Sequence, residues 1–131
     1  MIKAAAAVRP ALSELERDNL LRDGVAAKAS FGNAVRSYGK LRNNVPVLQC
    51  AVTAYREILA KISRDKSLRE WALTKDNLAR GLASIADRTD KRYEAAIAAI
   101  EDAIVFFRGM GETHYLGKAV AFRQRLEERP R

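Results

Sequence analysis

With one cysteine and one histidine, this chain has few routes to covalent or metal chemistry. Cys50 stands among Leu48, Ala51 and Val52 in a helical stretch. It reads as a small core or boundary residue rather than a nucleophile. His114 has no cysteine or second histidine near it in sequence, so a zinc site there would need carboxylates for its other ligands. It reads as a partly exposed residue near a helix start. Glu101-Asp102 and Glu127-Glu128 are adjacent in sequence, so the members of each pair point to different helix faces and read as solvated. The stretch GMGETH from Gly109 is similar to a phosphate loop. It lacks a lysine after the glycines and follows a helix instead of a strand. It reads as a helix terminator followed by a cap, with Thr113 as the capping residue. No His-Glu-x-x-His, Cys-x-x-Cys, nucleophile elbow or dinucleotide fingerprint occurs. The expectation is a non-enzymatic protein without catalytic residues, metal or cofactor.

The composition of the 131 residues agrees with a single globular domain: 48% are hydrophobic and 31% charged, which argues against disorder. Alanine, leucine, arginine and glutamate dominate, and three prolines with seven glycines interrupt them, a mixture that favours helix. No segment approaches eighteen consecutive apolar residues, so no transmembrane helix is expected. MIKAAAAV is too short an apolar run for a signal peptide and is cut off by Arg9 and Pro10. It reads as the start of a mature intracellular chain. A lone thiol agrees with a reducing, cytoplasmic setting. The net charge is +8 and uneven: residues 1–66 carry twelve Lys/Arg against six Asp/Glu, residues 67–131 twelve against ten. Such a balance favours anionic partners in general without selecting nucleic acid over an acidic peptide.

The elements follow from periodicity. Trp71, Thr74, Leu78, Leu82 and Ile85 step by three or four, the mark of one helix face. Forty-seven residues earlier stand Gly24, Ala27, Phe31, Val35 and Tyr38. A second stripe, Leu48, Ala51, Val52, Tyr55, Ile58, Leu59 and Ile62, recurs forty-five residues later as Tyr93, Ala96, Ile97, Ile100, Ala103, Ile104 and Phe107. The change of offset falls in the turn within each pair, where length is cheap. Asn43-Asn44 with Pro46 marks the first of these turns; Asp87 and Thr89-Asp90 mark the second.

The expected organisation is therefore one domain over 1–131: a leading helix in 1–23, ended by Gly24; helix pair 1 in 24–66; helix pair 2 in 67–109; and a closing helix in 112–131. Neither half of a pair can bury its stripe alone, and stacking makes the stripes continuous. A plain antiparallel bundle would show similar stripes. The matched offsets favour a repeat.

WALTKDNLARGL followed by YEAAIAAIEDAI resembles one unit of the tetratricopeptide repeat family, in particular its longer bacterial variants. The likeness covers about residues 25–128. The first helix carries a large then a small residue, Phe31-Gly32 and Leu78-Ala79, echoed by Leu116-Gly117. The second helix carries a small then a bulky one, Ala51 with Tyr55 and Ala96 with Ile100. The resemblance implies an all-α fold of about six helices, antiparallel pairs stacked as a short right-handed α-solenoid. It implies a scaffold that binds a protein or peptide, acidic segments included, on a concave face. That face would carry Asn33, Arg36 and Ser37 from the first pair and Asp76, Asn77, Arg80 and Ser84 from the second. From spacing alone, Asn33, Arg36, Ser37, Asp76, Arg80 and Ser84 lie off the apolar stripes, as solvated residues do. Replacing both Arg36 and Arg80 by Glu is expected to abolish capture with helicity and melting unchanged.

Two other readings stand beside this one. Lys40, Arg42, Lys61 and Arg64 belong to a basic stretch that could track phosphates in a nucleic-acid-binding helical module. The aromatic residues there fall mostly on apolar stripes, so stacking platforms for bases are not evident. The third reading is a structural one, a domain cut from a longer solenoid that associates with sister repeats or with itself.

Overall fold

Asn43 and Asn44 close one helix and open the next. The computed structural model of the protein describes residues 21–62, 64–65, 67–89 and 92–129. In it, helix α1 spans Leu21–Leu41 and helix α2 spans Val45–Lys61. At the end of α1, Asn43 takes a positive φ of 52° and its N–H donates to the Lys40 carbonyl at 3.3 Å. The Asn44 N–H donates to the Gly39 carbonyl at 2.9 Å. These two bonds satisfy carbonyls that the last helical turn leaves open, with asparagine in the left-handed position that glycine usually fills. The Asn44 side chain then accepts from the Val47 N–H at 3.1 Å and caps α2. Pro46 follows in the first turn of α2, where a missing N–H costs nothing.

Helix α3 spans Leu68–Asp87, α4 Glu94–Gly109 and α5 Thr113–Glu128. The described residues thus form five helices and no strand, and successive helices pack as antiparallel neighbours. The turn after α4 is also closed by backbone bonds: Gly111 sits at φ +66°, the Glu112 N–H reaches the Phe107 carbonyl at 2.9 Å and the Gly111 N–H the Arg108 carbonyl at 3.4 Å. GMGETH is accordingly a helix terminator. Thr113 is not the cap expected of it. Glu112 holds the N-cap position of α5, and no side chain caps that helix.

The core forms where the second-helix stripes meet their first helices. Leu48, Ala51, Val52, Tyr55 and Ile58 are buried on α2, and Ala96, Ile100, Ala103, Ile104 and Phe107 on α4. The approach of α1 to α2 depends on two missing side chains. A Cβ at Gly32 would lie 2.8 Å from Cε1 of Tyr55, and one at Gly39 would lie 2.9 Å from Cγ of Leu48. Gly81 of α3 comes to the same tyrosine from the other side, its Cβ position 3.8 Å from Cε2 and 3.1 Å from Val52. In the second pair Ala79 and Ile100 hold the corresponding positions, both without exposed surface.

Several expectations are corrected here. Gly24 does not end a helix: α1 runs through it, and the leading helix expected in 1–23 lies, up to residue 20, outside the described residues. Asp90 of the second turn also lies outside them. Cys50 is exposed, because two residues beyond Leu48 it is turned by about 200° from the stripe. His114, by contrast, is as expected an exposed residue at a helix start, in the first turn of α5. On α1, Gly24 and Val35 are buried but Ala27 is exposed and Tyr38 is 39% exposed. Among the described residues this helix meets α2 and, more lightly, α3, and these cover only part of its stripe.

Replacing Gly32 by Ala should destabilise the fold by about 2 kcal/mol, since the buried Tyr55 ring cannot yield. Gly117→Ala on α5, where a Cβ meets nothing within 4 Å, should be neutral or stabilising. Denaturant unfolding of the two variants side by side checks the pair.

Candidate functional site

Because α2 and α4 each reverse the chain, α1, α3 and α5 run in the same direction. Their side chains tie them together in order. Arg36 of α1 donates to the Asn77 carbonyl of α3 at 3.2 Å, and Arg88, just past α3, donates to the Lys40 carbonyl at 3.3 Å. Between α3 and α5, Arg69 pairs with Glu112 at 3.2 Å, and the Arg80 guanidinium lies 4.6 Å from the Phe122 ring centre. Arg129, following α5, pairs with Asp87 at 2.6 Å.

Across these three helices runs a groove of about 420 Å³. Val25, Ala26, Ala29 and Asn33 of α1 form one wall. Glu70, Leu73, Thr74, Asp76 and Asn77 of α3 form the floor, and Tyr115 of α5 closes the far side. The forty-seven-residue offset carries Ala26 onto Leu73 and Ala29 onto Asp76, so equivalent faces of the two first helices meet there. Of the residues assigned to a binding face, the groove brings together Asn33, Asp76 and Asn77.

The others have different places. Ser37 is exposed on α1 and does not line the groove. Asp76 is 8% exposed and Ser84 6%, so neither is the solvated residue that its position off the stripe predicts. The cause is the setting of α3, which packs against α2 and α4 and is touched by α1 and α5. A helix so surrounded has little face left for water. Arg36 and Arg80 are both engaged within the fold. Arg80 Nε donates to Asp76 Oδ1 at 2.6 Å.

Tyr55 links groove and core. Its ring has no exposed surface, and its hydroxyl donates to Asn33 Oδ1 at 2.6 Å. Burial pushes the phenol up to about 12, against the opposing pull of the Arg36 charge. The Arg36 guanidinium lies 6.0 Å from the ring centre.

The basic residues do not form one patch. Lys40 and Arg42 lie at the end of α1, while Lys61 and Arg64 lie at the far end of the antiparallel α2, roughly 24 Å of helix away. Arg42 rests over the Tyr38 ring at 5.4 Å and Arg64 over the Trp71 ring at 4.9 Å. A second groove of about 400 Å³ lies between α2 and α4 over α3, with Gln49, Thr53, Arg56 and Arg92 at its polar margin. Among the described residues no group of three or more His, Cys, Asp or Glu side chains comes together as a metal site, and no helix is long and apolar enough to cross a membrane.

Sequence reasoning missed Glu70, Leu73 and Tyr115. One signal could have found Tyr115: it precedes Leu116-Gly117 as Asn77 precedes Leu78-Ala79.

Two outcomes follow. Arg80→Glu sets a second carboxylate against the buried Asp76, so it should cost about 2 kcal/mol and lower the melting temperature. The Arg36/Arg80 double variant should likewise melt lower than the wild type, since both arginines are bonded within the fold. Tyr55, with its folded value raised, contributes stability that is complete below pH 10 and lost as pH rises through about 12. Tyrosinate absorbance should show the Tyr55 phenol titrating there, a component absent from Tyr55→Phe, and that variant should flatten the alkaline loss of stability.

Comparison of the chain with protein-family models, curated proteins and solved structures finds no match.

Proposed function

We propose that this protein is a non-enzymatic interaction scaffold, a short right-handed α-solenoid of tetratricopeptide-like helix pairs that holds a segment of a protein partner across α1, α3 and α5. The observation that carries this reading is the groove itself. Three helices running one way present a trough floored by α3, with an apolar wall at Val25 and Ala29, Leu73 in the floor and amides at Asn33 and Asn77. Side-chain amides can pair with the backbone of an extended peptide, and small apolar walls leave room for its side chains. The likeness of the two helix pairs in sequence supports the repeat reading, and the lone exposed thiol suits a reducing compartment such as the cytoplasm.

The nucleic-acid reading has less support. The separation of Lys40 and Arg42 from Lys61 and Arg64 deprives it of a continuous cationic track.

Capture from the native cell, read by mass spectrometry, tests the scaffold. Ala26 is exposed and lines the groove, so Ala26→Trp should fill it without disturbing the core. Ala121→Trp places the same ring at an exposed position on α5. Partners held by the wild type and by Ala121→Trp, and lost with Ala26→Trp, are the expected result. Partners retained by all three would remove the groove from the account.

A further inference from the structure

The protein carries a net charge of +8, yet the ionisable side chains lining the α1/α3/α5 groove are Glu70, Asp76 and the phenol of Tyr115, with no lysine or arginine among them. Nearby cations are engaged by other groups. Arg69 pairs with Glu112 while lying 5.7 Å from the ring centre of Tyr115 at the groove margin, Lys75 pairs with Asp102 at 3.2 Å, and Arg36 donates to the Asn77 backbone carbonyl. Asp76 has Arg80. The Glu70 carboxylate has no partner among the described residues; only its backbone carbonyl is bonded, to the Thr74 hydroxyl at 2.7 Å. Glu70 lies in the first turn of α3, where the helix favours an ionised carboxylate. It is thus a charge held ready at the edge of an otherwise small-walled trough.

We infer that the segment bound in this groove is basic: an extended peptide that presents a lysine or arginine to Glu70 and lays small or aliphatic residues against Ala26, Ala29 and Leu73. This rests on the groove reading above and adds the sign of the partner. The backbone of such a peptide meets the Asn77 side-chain amide and the Nδ2 donors of Asn33, whose Oδ1 is taken by Tyr55. The inference runs against the bulk charge, which would draw acidic peptides to the surface as a whole. A local carboxylate in a partly enclosed site outweighs distant charges, because those are screened beyond roughly 8 Å at physiological salt.

The test uses two pools of short, end-capped, fluorescein-labelled peptides on one alanine, leucine and serine background. One pool carries lysine and arginine at varied positions, the other aspartate and glutamate. Anisotropy at ~0.15 M salt is measured for the wild type, Glu70→Gln, Glu70→Lys and Ala26→Trp, each checked for helicity. The wild type should prefer the cationic pool by about five-fold or more, Glu70→Gln should lose most of that preference and Glu70→Lys should reverse it. A cationic preference untouched in Glu70→Lys overturns the inference. Preference for the anionic pool, with binding still lost in Ala26→Trp, overturns it while leaving the groove as the binding site. If neither pool responds to Ala26→Trp, the groove reading and the inference fall together.

Discussion

Tyr55 and Val52, one helical turn apart on α2, set the spacing of the first three helices, the tyrosine against Gly32 of α1 and the valine against Gly81 of α3. Tyr55 stands on α2 with Gly32 of α1 on one side and Gly81 of α3 on the other, and neither glycine leaves room for a methyl group without displacement. Close packing of this kind leaves little freedom in how α1 lies on α2 or how that pair lies on α3. The hydroxyl adds direction, because its bond to Asn33 orients a side chain on the groove wall. The same residue that fills the junction therefore also aligns part of the surface on which a partner would lie. In the second pair the place of glycine and tyrosine is taken by alanine and isoleucine, a smaller mismatch in size and one without a polar end.

From this junction the layout of the groove follows. With α1 and α3 held on either side of the tyrosine and running in one direction, their matching faces form a trough, and α5 is drawn alongside through Arg69, Arg80 and Arg129. These three cations serve as ties between helices. Three of the twelve cations in residues 67–131 are used in this way, and none of them lines the groove.

What periodicity made legible was the pairing of apolar faces: the stripes on α2 and α4 are buried almost as spaced, and Asn43-Asn44 and Gly111 end helices where turn chemistry places them. What it could not convey was how many neighbours each helix has. Asp76 and Ser84 lie off the stripe of α3, and on a surface helix they would be solvated; α3 is surrounded, so they are buried. The converse holds for Ala27 and Tyr38, on the stripe of α1 but exposed, with α2 and α3 covering only part of that stripe among the described residues. Lys40, Arg42, Lys61 and Arg64 are close in sequence, but a hairpin sends them to opposite ends. Charge counted along a chain does not see that reversal. The echo at Leu116-Gly117 is real in sequence, yet no residue approaches the Cβ position of Gly117 as Tyr55 approaches Gly32.

The turn at Asn43-Asn44 sets the two hairpins apart in their tolerance of change. There, one pair of adjacent residues supplies the left-handed backbone, two carbonyl partners and the cap of the following helix, all within three residues between α1 and α2. An added residue would have to break several of these at once. The connection from α3 to α4 is twice as long and is tied by side chains, Thr89 to the Ile85 carbonyl and Tyr93 to Asp87. Such ties can be remade around an insertion. Drift in length over evolution, or a fused domain placed by design, is accommodated at the second hairpin and refused at the first.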